Sequence, residues 1–286
     1  MNRIFFYMMA AVVLTTACKK DKDIPKMTMC SQKMGVLNIY LAGTSKITID
    51  WGDGSKIETH SLSAFVTVLD DKYRYSHHYG SASARTITIT GENITHFDCR
   101  ENELTCLDVC KNTALTVLIC GNNQLRELDV SNNTALTYLG CWVNQIASID
   151  VRSHAELEFL YCGSNLLTSL DVTNNSKLRI LICDDNQLNN LDVKGCSMLT
   201  NLNCGKFVYT PVGLGNHLTS LDVNGCTSLI NLNCENNLLS AKSLNDLFET
   251  LHDKTFASGK QIYISHNPGT IDCSKSIAEI KGWDVY

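Results

Sequence analysis

Basic clusters are absent from this 286-residue sequence, whose formal net charge is −5. Proteins that bind nucleic acid neutralise phosphates with grouped lysine and arginine side chains, so the composition argues against nucleic acid as the main partner. Zinc-ligand spacing is also missing, because the chain has no Cys-x-x-Cys pair and no histidine beside its recurring cysteines. The sequence therefore predicts no metal site and no cofactor.

Residues that perform acid–base or nucleophilic chemistry are scattered along the chain. Histidines stand at positions 60, 77, 78, 96, 154, 217, 252 and 266, and no Ser/His/Asp or paired-carboxylate arrangement can be placed on one face. The pair His77-His78 is interpreted as part of a β-strand. These observations predict a protein that is not an enzyme, with a hydrolase as the least favoured alternative.

Long apolar runs are missing except at the start, MNRIFFYMMAAVVLTTACKK. Arg3 precedes an apolar run over residues 4–14, which is too short to span a bilayer and is typical of a signal peptide. The stretch LTTAC, ending at Cys18, resembles a bacterial lipobox, although threonine stands where the commonest pattern has leucine. The resemblance implies a signal peptide over residues 1–17, lipidation of Cys18 and a tether over 18–29. A secretory leader without lipid is the alternative.

From residue 94 onward the sequence repeats with a period of 21. Cysteine recurs at positions 99, 120, 141, 162, 183, 204 and 234, and Ile264 takes the equivalent position of the repeat; we call this position the cysteine slot. The last two repeats are 30 residues long instead of 21. Asparagine stands three residues after each cysteine slot, except that Phe207 follows Cys204. The pattern resembles that of leucine-rich repeats, which implies a solenoid of about eight coils over residues 94–239. The fold class predicted is mostly β.

Each letter of the repeat has a physical role in the predicted coil. Leu118 and Cys120 alternate along a short strand, so both point into the solenoid. The asparagine that follows satisfies backbone groups of a turn, and Leu128 with Val130 points inward from the opposite wall. The recurring cysteines are predicted to be buried, unreactive thiols rather than disulfides or zinc ligands. The other cysteines, at positions 30, 106, 110, 196, 226 and 273, are predicted to be inert thiols, and those at 110, 196 and 226 to be partly buried.

The two ends of the solenoid need covering, because a stack of coils leaves open edges. Residues 30–93 switch to a period of two in the runs LNIYL, KITIDW, FVTVL and TITITG. The piece ITIDWGDGS, with YRYSHHYG and TITITG, resembles a PKD-type immunoglobulin-like sandwich. A calcium site at Asp50, Asp53 and Ser55 is the less favoured alternative to a turn.

Residues 240–286 are predicted to form the other end of the molecule. Ser240 is expected to cap a helix over residues 241–252. A final coil, QIYISHNPGT, follows, and a short helix and closing strand come last. The segment NPGTIDCSKSIAEIKGW resembles the closing segment of Bacteroidetes-type leucine-rich-repeat lipoproteins.

Outward positions of the first strand in each coil carry no packing role, and the middle coils place large apolar side chains there. We predict an exposed binding patch, because a contiguous patch of this kind usually marks an interaction site. An acidic column on the other wall is interpreted as structural rather than cation-binding: Asp108, Asp129, Asp150, Asp171, Asp192 and Asp222. For the apolar patch, the alternative is that the terminal parts of the chain or a second copy of the protein cover it. The predicted site comprises Tyr138, Trp142, Phe159, Tyr161, Ile180 and Ile182, extended by Phe207 and Tyr209 of the insertion at 205–217.

The resemblance to Bacteroidetes-type surface lipoproteins covers essentially the whole chain. It implies a non-catalytic adhesion or recognition protein on the bacterial outer membrane or cell surface, held by a lipid on Cys18. The predicted partner is an extracellular protein or glycan. A structural envelope component that self-associates through the same patch is the alternative.

Overall fold

The structure is a computed structural model that describes residues 24–65, 71–206, 215–254 and 259–286. Its first part consists of strands with alternating buried and more exposed side chains, since apolar residues recur there with a period of two. Strands are confirmed in LNIYL, KITIDW and TITITG, and the FVTVL run lies outside the described residues after Phe65. The first strand begins within the segment predicted as tether. The strands are β1 (Lys26–Ser31), β2 (Gly35–Gly43), β3 (Lys46–Asp50), β4 (Glu58–Ser61), β5 (Arg74–Tyr79) and β6 (Arg85–Gly91).

These strands form the small β-sandwich that the sequence predicts. Strands β4, β3, β6 and β1 make one antiparallel sheet, and β2 pairs with β5 in the other. Trp51 is 1% exposed between them. Its indole N–H donates to the Glu58 carboxylate at 2.8 Å, and its carbonyl accepts from the Tyr79 hydroxyl at 2.8 Å. These bonds satisfy the indole N–H and the backbone carbonyl of Trp51, which has the largest side chain in the sandwich core.

The WGDG segment after β3 is the turn predicted there. Asp50 accepts from the backbone N–H of Gly52 at 2.9 Å, and Asp53 accepts from that of Ser55 at 3.0 Å. Gly52 has a φ of 75°, a conformation that glycine adopts without steric cost. The second carboxylate oxygen of Asp53 lies 2.7 Å from Nε2 of His77 on β5. The acidic groups of this turn therefore hold the turn and its neighbouring strand.

The remaining strands belong to the solenoid, in which each coil contributes a short strand to a parallel sheet. The fold is a leucine-rich-repeat solenoid, as the period of 21 predicts. Its strands are β7 (Ile94–Asp98), β8 (Leu104–Asp108), β9 (Val117–Ile119), β10 (Tyr138–Gly140), β11 (Phe159–Tyr161), β12 (Ile180–Ile182), β13 (Asn201–Asn203), β14 (Asn231–Asn233), β15 (Lys260–Tyr263) and β16 (Trp283–Val285).

Strand pairing joins the sandwich to the solenoid on both walls. Strand β2 pairs with β7, which joins β9, so one 11-stranded sheet runs from β5 to β16. On the opposite wall β1 pairs with β8 of the first coil. A single hydrophobic core passes through both parts. The sandwich therefore covers the first edge of the solenoid by direct strand pairing.

A disulfide fastens this junction and corrects the prediction for its two cysteines. Cys30 on β1 is bonded to Cys106 on β8, with the two Cα atoms 5.0 Å apart. Both were expected to be inert thiols, but the pairing of β1 with β8 places them opposite each other. Cys110 is also disulfide-bonded rather than free. Cys273 is a free, half-buried thiol.

The recurring cysteines lie inside the solenoid as free, buried thiols, which confirms their predicted role. Leu118 and Cys120 are both 0% exposed, and burial raises the pKa of the Cys141 thiol to about 12. Cys196 and Cys226 are buried too, whereas the sequence predicted partial burial. Both occupy a turn position that asparagine fills in other coils, and Cys196 donates its S–H to the Val172 carbonyl of the preceding coil at 3.6 Å.

The asparagine after each cysteine slot links two consecutive coils. Asn144 donates to the carbonyls of Cys120 and Cys141 at 3.0 Å each, and its own carbonyl accepts from the backbone N–H of Leu125 at 2.9 Å. Phe207 was expected to interrupt this column, but Asn216 takes the position. Asn216 donates to Cys183 and Cys204 carbonyls at 3.0 and 2.9 Å. The insertion thus lies between a cysteine and its asparagine.

The opposite wall is held by the acidic column, and its predicted structural role is confirmed. Asp129 accepts from the backbone N–H of Ser131 at 2.9 Å, and Asp171 accepts from that of Thr173 at 3.1 Å. The same bond to the residue two places later recurs at Asp108, Asp150, Asp192 and Asp222. These carboxylates build the turn after each second-wall segment.

The far end is covered by helix α1 (Ala241–Thr250), helix α2 (Ser276–Ile280) and β16. The Ser240 hydroxyl accepts from the backbone N–H of Ser243 at 3.1 Å, which confirms the predicted cap. The helix ends at Thr250, before the expected residue 252. Among the residues that the structure describes, no helix has the length and apolar character needed to cross a membrane.

Candidate ligand-binding face

The outward side of the 11-stranded sheet presents the predicted site. In each coil strand the middle residue points inward, and Leu139 and Leu160, for example, are 0% exposed. The residues on either side of it point outward, because side chains alternate along a strand. Parallel pairing in register places Tyr138 beside Phe159 and Phe159 beside Ile180. The site residues on β10, β11 and β12 therefore form adjoining columns.

The large side chains are half-buried, whereas the sequence predicted them to be exposed. They cover one another: the rings of Tyr138 and Tyr161 stack with centroids 5.3 Å apart, and Phe159 lies 5.9 Å from Tyr138. Trp142 meets Tyr161 edge-on at 6.4 Å. Burial, and secondarily the neighbouring Tyr161, raises the pKa of Tyr138 to about 12. We call these four residues the aromatic surface.

The indole of Trp142 packs against two glycines. A Cβ atom at Gly121 or at Gly140 would lie 2.4 Å from the indole, so any larger residue would displace the ring. The next residue, Val143, has a φ of 49°, which is rarely adopted by β-branched residues. The equivalent position is Asn122, Ser164 and Asn236 in other coils. The backbone strain of this column is therefore greatest beside the aromatic surface.

A cavity of about 440 Å³ lies beside the aromatic surface, at the junction between sandwich and solenoid. No local sequence pattern predicts this cavity, because its walls come from strands and turns that are distant in sequence. One signal for this cavity in the sequence is Arg100, a charged residue at the outward position where the next coil has Gly121. We call this cavity the junction pocket. Its lining residues are Lys33, Asn38, Tyr40, Phe65, Tyr73, His96, Asp98, Arg100, Glu101 and Asn102.

The outward residues of β7 lie under this pocket rather than on an open surface. His96 and Asp98 are 4% and 5% exposed, and the ring of Phe65 stacks on His96 at 4.1 Å. Burial lowers the pKa of His96. Arg100 donates to both carboxylate oxygens of Asp98 at 2.6–3.0 Å, and its guanidinium carbon lies 5.7 Å from the ring of Trp142. Arg100 thus joins the junction pocket to the aromatic surface.

Toward the other end the face becomes polar. Ile180 and Ile182 are half-buried beside the aromatic surface, and the columns then change to asparagine on β13 and β14. Asp184 is 2% exposed, and burial together with Asp185 raises its pKa to about 7. Phe207 and Tyr209 lie outside the described residues, so their predicted place beside this face stays a prediction.

Within the ranges that the structure describes, no group of three or more histidine, cysteine or acidic side chains is arranged to hold a metal ion. Two histidine–carboxylate pairs lie in the sandwich, His60 with Glu58 and His77 with Asp53, each at 2.7 Å. Cys18, the predicted lipidation site, lies outside the described residues.

No protein-family model matches the chain, and no curated protein matches it. Among solved structures, the functional domain of InlJ from Listeria monocytogenes, which includes a cysteine ladder, aligns at 27% identity and a TM-score of 0.45. That alignment covers 70% of this chain and 50% of the other. The effector YopM from Yersinia pestis aligns at 21% identity and a TM-score of 0.38, covering 55% and 45%. A leucine-rich-repeat protein from Leptospira interrogans aligns at 16% identity and a TM-score of 0.30, and that alignment covers 68% of this chain and 72% of the other. This chain spans half or less of the first two.

Proposed function

We propose that this protein is a non-catalytic binding protein of the bacterial cell surface, whose aromatic surface captures an extracellular protein or glycan. The aromatic surface is the observation that supports this most. Tyr138, Trp142, Phe159 and Tyr161 are contiguous and half-buried, and their rings contact one another. Tyrosine and tryptophan dominate the energetics of interfaces because they bury much area at low cost in side-chain entropy.

The geometry of this surface favours binding over a purely structural role. The indole of Trp142 packs closely against Gly121 and Gly140, so part of its side-chain freedom is already lost before a ligand covers it. Ile180 and Ile182 extend the apolar area, and Phe207 and Tyr209 of the insertion are proposed to extend it further. The asparagines of β13 and β14 supply a polar rim.

The proposed location rests on the start of the sequence. The apolar run and the lipobox-like LTTAC support export and lipidation of Cys18, and the Lys/Asp-rich stretch after it resembles the tether of Bacteroidetes-type outer-membrane lipoproteins. The sandwich with its WGDG turn is proposed to be PKD-like. Palmitate labelling of cells that express the wild-type or the Cys18→Ser protein tests the anchor, and label on the Ser variant contradicts it.

The binding proposal is tested with protein spanning residues 19–286. Capture is measured on a panel of polysaccharides and secreted host proteins, for the wild type and for a Tyr138→Ser/Phe159→Ser/Tyr161→Ser variant. The matched control is Asn132→Ser/Asn174→Ser/Asn224→Ser, which changes three exposed asparagines at turns of the opposite wall. We expect at least a tenfold loss in the aromatic variant only. Equal capture by all three proteins contradicts the proposal.

Self-association through the aromatic surface is the second candidate, since the same contiguous rings would serve a second copy of the chain. Sedimentation velocity over a hundredfold range of concentration distinguishes the two. A mass that rises with concentration in the wild type and not in the aromatic variant supports an envelope component that self-associates.

A further inference from the structure

We propose that the junction pocket binds one neutral sugar residue of a glycan that continues over the aromatic surface. This inference rests on the proposed binding function and names its ligand class. The pocket is not part of the predicted site, and it is built jointly by the sandwich and the first coil. Its volume of about 440 Å³ lies in the range of small-molecule sites.

The walls of the pocket are fixed by hydrogen bonds between the Asn102 side chain and the backbone of Asn38, which cross the junction. Asn102 donates to the carbonyl of Asn38 at 2.6 Å, and accepts from the backbone N–H of Asn38 at 3.2 Å. The backbone N–H of Asn102 donates in turn to Asn123 in the next coil at 3.0 Å. Because these bonds hold β2 and the first turn together, the pocket exists before a ligand arrives. A preformed site of this kind avoids the entropy cost of ordering loops on binding.

The charges in the pocket balance one another. Arg100 is neutralised by its double contact with Asp98, and Nζ of Lys33 donates to the carbonyl of Glu101 and lies 3.4 Å from the amide oxygen of Asn102. The lining residues thus include two cationic side chains, Lys33 and Arg100, and two acidic ones, Asp98 and Glu101, so the pocket has no net formal charge. A lining without net charge favours a neutral ligand over an anion or a cation, and the acidic probes in the test below check whether Lys33, whose Nζ contacts only uncharged oxygens, draws an acidic sugar instead.

His96 lines this cavity, and among the described residues one of its ring nitrogens is unpaired. His96 is 4% exposed, and within the described part of the chain its Nδ1 atom has no hydrogen-bond partner. Buried polar groups without partners are rare, because each gives up the hydrogen bonds that it makes with water in the unfolded chain. A sugar hydroxyl both donates and accepts, so a ring of hydroxyls suits a pocket that offers a neutral imidazole, an amide and the outer edges of an Arg–Asp pair.

The pocket also has aromatic side chains against which the apolar face of a sugar ring can pack. Tyr40 is half-buried on β2 and Phe65 lies over His96, so both aromatic rings border the cavity. Arg100 leads from there to Trp142, the one tryptophan that is not buried, since Trp51 and Trp283 are each 1% exposed. A chain of sugars can therefore place one residue in the pocket and the following ones on the aromatic surface.

The test uses residues 19–286 and four neutral polysaccharides, a glucan, a mannan, a galactan and a xylan, with heparin and polygalacturonate as acidic probes. Binding is measured by affinity electrophoresis and by protection of Trp142 from acrylamide quenching. We expect at least one neutral polymer to bind and to lose affinity tenfold or more in Tyr40→Ala. The matched control is Tyr263→Ala, a tyrosine on the same face at β15, which should bind as the wild type does.

Tyr40→Phe keeps the packing of the ring and removes only its hydroxyl. A loss of affinity smaller than that of Tyr40→Ala, with an unchanged melting temperature, shows that the effect on binding is local to Tyr40. Neutral binding that Tyr40→Ala leaves unchanged overturns the inference, as does a wild type that binds only acidic polymers or proteins. A ligand lost in the Tyr138/Phe159/Tyr161 variant and kept in Tyr40→Ala would leave the binding function standing and refute the sugar pocket. A ligand kept in both variants refutes both.

Discussion

Replacing Asn165 with leucine tests the asparagine column directly. Asn165 is 6% exposed and donates to the carbonyls of Cys141 and Cys162 at 3.0 and 3.1 Å. Its own carbonyl accepts from the backbone N–H of Ile146 at 3.0 Å. Leucine has a similar volume, so the substitution removes hydrogen bonds without opening a large cavity.

The cost can be divided between the two kinds of bond. The carbonyls of Cys141 and Cys162 each keep another partner, Asn144 and Asn186, so each lost donation costs only about 0.5–1.5 kcal/mol. The N–H of Ile146 is left buried and unpaired, which costs about 1–3 kcal/mol. The expected loss in the free energy of unfolding is therefore roughly 2–6 kcal/mol. That is a large share of the stability of a typical domain.

Urea unfolding followed by circular dichroism measures this loss as a shift of the midpoint. The matched control is Asn132→Leu, an asparagine on the exposed side of a second-wall turn, which should change stability by less than about 0.5 kcal/mol. A loss below about 1 kcal/mol for Asn165→Leu would show that water or a rearranged turn replaces the side chain, and would contradict the stabilising role of the asparagine column.

Four further predictions follow from single residues. Val143→Asn should raise the free energy of unfolding by about 1 kcal/mol in urea titrations, because asparagine tolerates the left-handed φ of 49°; a loss contradicts this. Burial raises the pKa of Asp184 to about 7 from its ordinary 3.8, so the folded state holds a proton that the unfolded state releases, and stability should fall as pH rises through that window. Asp184→Asn should flatten this slope, by at most about 4 kcal/mol between pH 4 and 8, and an unaltered profile refutes it. Replacing Cys30 and Cys106 with serine opens a loop of 76 residues and should cost roughly 3–5 kcal/mol in unfolding experiments, whereas an unchanged midpoint would make the disulfide dispensable. Ellman's reagent should modify Cys273 in the native protein and the buried thiols only after unfolding; fast modification of the buried thiols would contradict their burial.

The repeat made much of this fold predictable, because its determinants are local. Leu118 and Cys120 face inward since a strand alternates, and that pattern is visible in a window of a few residues. Ser240 and the apolar spacing after it predict the helix start for the same reason. The outward columns that contain Tyr138 and Phe159 also follow from the period alone.

Features that depend on distant segments were not predictable. Cys30 and Cys106 are 76 residues apart, and nothing near either one indicates the pairing of β1 with β8. The half-burial of the aromatic surface depends on how rings from different coils cover one another. The junction pocket needs Phe65 to lie on His96, which no periodicity predicts.

The position of Asn216 has a consequence for how this chain tolerates changes in length. The coil needs its cysteine strand and an asparagine that reaches two carbonyls, and Asn216 meets that need after an interruption of the repeat. The segment between Cys204 and Asn216 is therefore free to vary in length without loss of register in the coils on either side.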